Sequence, residues 1–304
     1  MKCTYCGGKL IRRGKAGKVK FNGKTKFQCK KCGKYKHLQS RHPRSARILL
    51  MDIETLYMEI KGIWDLKHND YIQPEKIVKD WSILCYAAKW LFDADVMGET
   101  VKPQEAINRD EASIIEGIWK LLDRADIVIT QNGVNFDIPR LNSKFIKHGL
   151  PPPAAYQVID TISPAVKKRF YSPSYKLDYL VKRYMGIEGK IHMTMEDWDA
   201  CAEGSKQALD KMLFYCKRDV APLLEDWYLY ILPWIPNHPN LGLYTDHDGD
   251  VCPRCESQNI SWNTKPYATP QGVWESFRCN TCGATGRGTQ KKIHEVKSVS
   301  VKPT

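Results

Sequence analysis

The sequence predicts an α/β domain, a mixed sheet flanked by helices, that spans residues 47–236 between two small cysteine-rich modules. Two patterns carry this prediction. Apolar runs alternate with amphipathic stretches through the middle of the chain, and paired cysteines lie near both ends. With 304 residues, of which 42% are hydrophobic, the chain has enough material for one full domain and small modules beside it.

Five apolar segments of strand length are separated or followed by stretches with helical spacing. The first three strands follow one another and the later ones alternate with helices, which is typical of a mixed sheet. The expected strands are residues 48–54, 82–90, 96–101, 126–130 and 156–161. The expected helices are residues 111–122, 137–148, 175–185 and 206–227. Gly149 and Gly186 end two of these helices, since glycine readily adopts the left-handed conformation that closes a helix.

Four acids and one tyrosine form the most informative pattern in this domain. Asp52 and Glu54 lie two residues apart on the first strand, so both side chains leave the same face. Buried acids that share a face repel each other unless a cation lies between them. Asp137 comes shortly after the fourth strand, at the end where α/β sheets keep their ligands. Tyr215 and Asp219 are four residues apart on a helix and therefore share one face.

Three short segments around these residues resemble, in order, the exonuclease motifs of the DEDD superfamily, also called DnaQ-like, whose members have a ribonuclease H-like fold. The matching segments are Asp52-Ile53-Glu54, Asn132-x-x-x-Phe136-Asp137 and Tyr215-x-x-x-Asp219. The third segment has the tyrosine form of its motif (DEDDy), because the histidine form would place a histidine where Phe214 stands. The resemblance covers roughly residues 47–230. It points to the proofreading exonuclease domain of family B DNA polymerases and to stand-alone relatives common in bacteriophages.

The resemblance implies a metal-dependent 3′→5′ exonuclease that hydrolyses phosphodiester bonds at single-stranded DNA 3′ ends and releases nucleoside 5′-monophosphates. The carboxylates of Asp52, Glu54, Asp137 and Asp219 would bind two Mg²⁺ or Mn²⁺ ions, since hard cations prefer oxygen ligands. Two such ions can activate a water molecule and stabilise the leaving oxygen. The resemblance assigns Tyr215 the role of orienting the attacking water.

Residues near the motifs are candidates for contacts with the substrate. By resemblance, Asn132 and Phe136 shape the pocket for the terminal nucleotide, and Leu56, just past the first motif, wedges between the terminal bases. Lys176 could reach a phosphate, although a solvated lysine is about as common at such a position. Asp160 is a candidate to support the metal ligands without binding the metal itself.

Eight of the eleven cysteines form four Cys-x-x-Cys pairs, which combine into two sets with 22 and 23 residues between the pairs. Two such pairs can close a tetrahedral structural zinc site, so two Zn²⁺ ions are expected. Both modules resemble zinc ribbons. The expected ligands are Cys3, Cys6, Cys29 and Cys32 in one module and Cys252, Cys255, Cys279 and Cys282 in the other. Of the three remaining cysteines, Cys85 is expected in the core and Cys216 is given no role.

The net charge of +13 is concentrated in one module. Residues 1–50 hold 16 Lys and Arg and no acid, whereas the rest of the chain holds 31 basic and 34 acidic groups. Basic groups interleaved with aromatics such as Phe21 and Phe27 suit contacts with phosphates and bases, so nucleic acid is the expected partner, with DNA favoured over RNA. The expected divisions are a basic zinc ribbon over 1–46, the exonuclease domain over 47–236, a second ribbon over 237–288 and a flexible basic tail over 289–304.

The second ribbon is harder to interpret from its sequence. Its aromatic residues could stack on bases, but a small ribbon also needs aromatic residues as its core, and both alternatives stay open. These residues are Trp262, Tyr267, Trp274 and Phe277.

Alternatives to the main interpretation are an RNA 3′ exonuclease, a structure-specific nuclease of the same fold, and a non-catalytic zinc-ribbon accessory protein that binds nucleic acid. An editing role in DNA replication would need a separate polymerase as partner, and the exonuclease could equally serve recombination, repair or nucleic-acid degradation, with a replication or recombination protein as a candidate partner. No apolar run reaches the ~18 residues of a membrane span. The N-terminus lacks an apolar signal segment, so a reducing cytoplasm, that of the host for a viral protein, is the expected location.

Overall fold

A computed structural model describes residues 10–12, 20–21, 24–31, 35–38, 45–62, 72–187, 191–245, 249–269 and 272–292. The strands are β1 (Leu10–Arg12), β2 (Lys20–Phe21), β3 (Lys24–Cys29), β4 (Tyr35–Leu38), β5 (Ile48–Leu56), β6 (Glu59–Ile60), β7 (Ile77–Lys79), β8 (Ser82–Trp90), β9 (Met97–Thr100), β10 (Ile127–Thr130), β11 (Gln157–Asp160), β12 (Ile260–Trp262), β13 (Tyr267–Thr269), β14 (Gly272–Cys279) and β15 (Thr285–Lys292). The helices are α1 (Pro103–Asn108), α2 (Ala112–Asp123), α3 (Asp137–Lys147), α4 (Pro164–Lys167), α5 (Leu177–Met185), α6 (Met195–Ala202), α7 (Lys206–Arg218) and α8 (Glu225–Ile231). Short 3-10 turns occupy Pro74–Lys76, Leu232–Trp234 and Leu241–Tyr244.

The central sheet has five strands in the order β11-β10-β5-β8-β9. β10 runs parallel to both β5 and β11, whereas β8 runs antiparallel to β5 and β9. β5 therefore lies in the middle, and its first four residues and all nine residues of β8 are buried. The sequence pattern explains this placement, because both strands are nearly continuous apolar runs, as expected for strands covered on both faces.

Helices cover both faces of β8. On one face Gly117 of α2 lies against Tyr86, and a Cβ at this glycine would come within 2.5 Å of the Tyr86 hydroxyl oxygen. On the other face Cys216 of α7 forms a hydrogen bond with Cys85. Because Cys85 and Tyr86 are consecutive strand residues and point to opposite faces, α2 and α7 enclose the sheet between them. The prediction of a mixed sheet flanked by helices is confirmed.

The prediction of one continuous helix over residues 206–227 is wrong. The α-helix ends at Arg218 and is followed by a wider π-type turn, Asp219–Leu224, in which Ala221 has extended dihedral angles. Pro222 explains the break, since proline lacks the N–H that a helix interior needs and clashes with the preceding turn. The polypeptide resumes a helical course only at α8.

Two small sheets lie outside the central domain. In the first 38 residues β1, β2 and β4 all pair with β3 in antiparallel fashion. The expected zinc ligands Cys3, Cys6 and Cys32 lie outside the described residues. In the C-terminal module β12, β13 and β15 all pair with β14, and β15 extends to Lys292, past the expected start of the tail. The domain boundaries stay predictions.

A buried ion pair joins the sheet to α8. The Lys89 Nζ lies 2.5 Å from Glu225 Oε1, and the side chains of these residues are 0% and 5% exposed. We expect Glu225→Ala to lower the free energy of unfolding by about 3–5 kcal/mol, because the variant deprives a buried ammonium group of this counter-charge. Urea denaturation followed by circular dichroism at neutral pH measures the loss. As a control, Asp210→Ala removes the exposed Lys206–Asp210 pair and should cost at most about 1 kcal/mol. Equal losses in the two variants would contradict this prediction.

Candidate functional site

Three of the four predicted carboxylates converge at one point. Asp52 and Glu54 lie on β5, and Asp219 directly follows α7, which packs over the same face of the sheet. One oxygen from each of the three lies within 4.8 Å of the others. Asp52 and Glu54 are half-buried and Asp219 is 8% exposed. Three carboxylates this close repel one another, and a divalent cation is the counter-charge that relieves the repulsion. The acid cluster formed by Asp52, Glu54 and Asp219 could therefore hold metal.

Small side chains leave room beside the acid cluster. Across the β5–β8 ladder, Asp52 is paired with Ala87 and Glu54 with Cys85. Residues paired across a ladder project to the same face, so neither partner fills the space around the carboxylates. The register of this ladder shifts between Glu54 and Thr55, where a β-bulge interrupts the alternation of side chains.

Cys216 lies against the acid cluster and was not expected there. Its Sγ is 3.5 Å from the carbonyl oxygen of Asp52 and 3.7 Å from Asp52 Oδ2. Burial raises the pKa of the Cys216 thiol well above its usual range, with further contributions from Cys85 and from the acids nearby. The thiol is thus a neutral donor beside Asp52. The sequence could have indicated this location, because Cys216 directly follows Tyr215 and lies three residues before Asp219, and residues three apart share a helix face.

Asp137 stands apart from the acid cluster but is tied to the same strand. Its side chain is buried, and its Oδ1 accepts a hydrogen bond of 3.0 Å from the backbone N–H of Ile53, the residue between Asp52 and Glu54. Burial raises the pKa of Asp137 to about 7; the nearby Asp160 adds to the rise, while backbone hydrogen bonds and Arg140 oppose it. A cation bound at the cluster would favour its charged form.

Asp160 fixes the loop that leads to Asp137. Its carboxylate accepts backbone hydrogen bonds from Asn132 at 3.0 Å, Val134 at 3.3 Å and Ile162 at 2.9 Å. The loop is tight, because a Cβ at Gly133 would come within 2.4 Å of the Thr130 side chain. Asp160 thus holds the loop that leads to Asp137, and its expected support of the metal ligands stays a prediction.

The remaining candidate residues are placed as follows. Tyr215 is buried one helical turn before Asp219, whereas Phe214 is 55% exposed. Asn132 is exposed, with a left-handed φ of 65°. The ring of Phe136 has the guanidinium carbon of Arg140 3.7 Å above it. Lys176 is exposed at the start of α5.

The prediction that Leu56 wedges between terminal bases is wrong. Its side chain is 1% exposed and belongs to the hydrophobic core. Strict alternation along β5 would place Leu56 on the face of Asp52 and Glu54, but the bulge after Glu54 changes the register and Leu56 packs inward. A side chain in this position has no access to a base.

The four C-terminal cysteines form a second group that could hold metal. One Sγ from each of Cys252, Cys255, Cys279 and Cys282 lies within 4.8 Å of the others. The Cys252–Cys282 and Cys255–Cys279 sulfur pairs are 3.7 Å and 3.6 Å apart. Four sulfurs placed tetrahedrally at the zinc–sulfur bond length would be about 3.8 Å apart. Hydrogen bonds shared among these sulfurs lower the pKa of the Cys252 thiol and raise the pKa values of the Cys255 and Cys282 thiols. These distances fit a zinc ribbon.

The aromatic residues of this ribbon divide between its core and its surface. Trp274 and Phe277 are 8% and 6% exposed and are therefore core residues. Trp262 and Tyr267 are 42% and 51% exposed. Trp274 and Phe277 thus form part of the ribbon core, whereas stacking of Trp262 and Tyr267 on bases stays a prediction.

One protein-family model matches part of the central domain. Residues 91–227 match the RNase_H_2 model, which describes the RNase_H superfamily. This match covers under half of the chain and shows that residues 91–227 are similar to the ribonuclease H superfamily. This ribonuclease H-like match includes Asp137 and Asp219 and begins after the strand that carries Asp52 and Glu54. Such a fold supports a nuclease activity and hence a nucleic-acid substrate.

One solved structure with a partly similar backbone is that of the family B DNA polymerase from the hyperthermophilic archaeon Pyrobaculum calidifontis. The TM-score is 0.44 at 15% sequence identity, and the match covers 74% of this chain and 29% of the polymerase. The chain thus spans under a third of that protein's length. A search of curated proteins finds no match. Within the described residues, no helix combines the length and the apolar character needed to cross a membrane.

Proposed function

We propose that this protein is a divalent-metal-dependent 3′→5′ exonuclease that acts on DNA and releases nucleoside 5′-monophosphates. The observation that carries the proposal is the acid cluster: Asp52, Glu54 and Asp219 offer oxygens within 4.8 Å of one another in a ribonuclease H-like domain. The motif order in the sequence, with Tyr215 one turn before Asp219, supports the choice of the exonuclease class. A non-catalytic accessory protein would have no need for such a cluster.

The residues around the acid cluster have distinct proposed tasks. When bound, Mg²⁺ or Mn²⁺ supplies the positive charge that generates a nucleophilic water and stabilises the leaving 3′-oxygen. Asp52, Glu54 and Asp219 provide the oxygen ligands. Asp137 holds β5 through the Ile53 N–H and adds a fourth carboxylate at the edge of the cluster. Tyr215 would use its hydroxyl to orient the attacking water.

The substrate and direction of cutting are tested with 5′-labelled single-stranded DNA and RNA of one sequence, and with a circular single-stranded DNA. We expect a ladder that shortens by one nucleotide at a time from the 3′ end of the DNA in Mg²⁺, and no cutting of the circle. Faster cutting of RNA would instead indicate an RNA exonuclease, and cutting of the circle would indicate a structure-specific nuclease. No cleavage of any substrate with Mg²⁺ or Mn²⁺ would refute the enzymatic proposal.

The N-terminal module is proposed to capture the substrate. Residues 1–46 carry 15 Lys and Arg and no acid. Deleting them should raise KM and flatten its salt dependence far more than it lowers kcat, because phosphate contacts release counterions on binding. As a control, deleting residues 293–304 removes two lysines and one glutamate and should leave KM nearly unchanged. An unchanged KM in the first deletion would contradict this role.

A further inference from the structure

An open groove of about 790 Å³ lies where the C-terminal ribbon meets the central domain. The ribbon is fixed there by hydrogen bonds: Arg254 Nη1 donates to the carbonyl oxygen of Leu232 at 2.7 Å, and the N–H of Leu241 donates to that of Pro253 at 2.7 Å. Both sides contribute to the lining, with Arg169 and Trp234 from the central domain and Tyr267 among those from the ribbon. The groove is thus formed by the contact between the ribbon and the central domain.

The groove is strongly basic. Its lining includes five cationic side chains and no acidic one; the five are Arg169, Arg254, Lys265, Arg278 and Arg287. Among the described residues, none of the five forms an ion pair with a carboxylate. Other surface lysines do form such pairs, as Lys206 with Asp210 and Lys211 with Asp197 show. Arg254 faces the sulfurs of Cys252 and Cys282, so it is the positive charge of the other four side chains that is available to an anionic ligand.

Exposed aromatic rings lie beside these cations. Trp234 is 62% exposed and Tyr267 is 51% exposed, and both line the groove. Rings exposed among unpaired cations are typical of single-strand binding, in which phosphates meet the basic groups and unpaired bases stack on the rings. A duplex keeps its base faces covered and would not use them. Arg287 is held in place over the ring of Trp274, with its guanidinium carbon 3.9 Å from the ring centre.

The groove shares no lining residue with the acid cluster. Ser45 donates a hydrogen bond of 2.7 Å to Glu256 of the ribbon. Ser45 precedes Asp52 by seven residues of mostly extended chain, so this contact is at most about 23 Å from Asp52, at the rise of a β-strand. The ribbon is therefore tied to the segment that leads into β5.

We propose that this groove is a second binding site for single-stranded nucleic acid, which holds the strand to the 5′ side of the end being cut. The direction in which the bound strand runs rests on the proposed nuclease function, but binding of the strand to the groove can be measured without cleavage. Phosphates would contact Lys265 and Arg278, and a base would stack on Tyr267.

The test uses the full chain carrying Asp52→Asn, without added Mg²⁺, and measures the fluorescence anisotropy of a labelled 20-nucleotide single-stranded DNA, the matching RNA and a 20-base-pair duplex. Adding Lys265→Glu, Arg278→Glu and Tyr267→Ala should raise the Kd for a single strand at least tenfold and leave the Kd for the duplex within about threefold. The two single-strand arms show which sugar is preferred. The matched control is Lys120→Glu with Lys206→Glu, two exposed lysines on the central domain, and its Kd should stay within twofold.

Retained zinc and an unchanged circular dichroism spectrum establish that the groove variant is folded. A single-strand Kd equal to that of the control variant would overturn the proposal, and so would an equal loss for duplex and single strand. Either outcome leaves the acid cluster and its cleavage assay untouched, since binding is measured here without turnover.

Discussion

Asp219→Asn is expected to lower kcat for DNA hydrolysis by at least about 10³-fold while the protein stays folded. The substitution removes one negative charge from three carboxylates that lie within 4.8 Å of one another. Metal ions contribute several kcal/mol to the stabilisation of such a transition state, and each 1.36 kcal/mol changes the rate tenfold. Because asparagine has the size of aspartate, the packing around this buried position is kept.

A matched control lies on the same stretch of chain. Asp210 of α7 is exposed and pairs with Lys206, so Asp210→Asn should leave kcat within about twofold. Single-turnover measurements of both variants in excess Mg²⁺ separate a loss of chemistry from a loss of binding. If Asp219→Asn keeps most of its activity, the acid cluster is not the place where the bond is cut.

The C-terminal zinc site should give the second large effect. Cys279→Ser is expected to release one zinc ion per chain and to unfold the C-terminal ribbon, because a structural zinc site contributes about 10–16 kcal/mol to the stability of a module with little core of its own. Among the described residues, the buried cluster at these cysteines consists of Cys252, Cys279 and Ala284, and Trp274 and Phe277 are the large buried side chains of the ribbon. Metal analysis by mass spectrometry should find about two zinc ions in the wild-type chain and one in the variant.

Cys201→Ala is the control for this measurement. Cys201 is fully buried in the central domain and belongs to neither four-cysteine set, so this variant should keep both zinc ions. Wild-type protein without zinc, or equal zinc in Cys279→Ser and wild type, would show that the cysteines have another role. The groove beside the ribbon should also lose its affinity for a single strand when the zinc is removed.

Those parts of the fold and the site that depend on local geometry could be predicted from the sequence. β8 has the predicted bounds, Ser82–Trp90, because a nearly continuous apolar run is typical of a strand that is buried on both faces. The spacing of two along β5 places Asp52 and Glu54 on one face, whereas their meeting with Asp219 was implied by the resemblance of the motifs. The break in the helix after Arg218 could also have been predicted, since Pro222 lies within the segment 206–227.

The features that could not be predicted from the sequence depend on contacts between elements that are distant along the chain. Leu56 turns inward because of a bulge in its pairing with β8, and no local pattern marks a bulge there. Asp137 binds the Ile53 N–H, 84 residues away, and stays outside the cluster of three. The basic groove exists only because the ribbon docks on the central domain, so its residues are scattered from Arg169 to Arg287.

In the proposed function, Asp52, Glu54 and Asp219 together hold the divalent ions that the reaction needs. Mn²⁺ binding, followed by the electron paramagnetic resonance signal of the free ion, tests this assignment without reference to activity. We predict that the wild-type chain takes up Mn²⁺, that Asp52→Asn loses this uptake and that Asp210→Asn retains it. Equal Mn²⁺ uptake by wild type and Asp52→Asn would contradict this assignment.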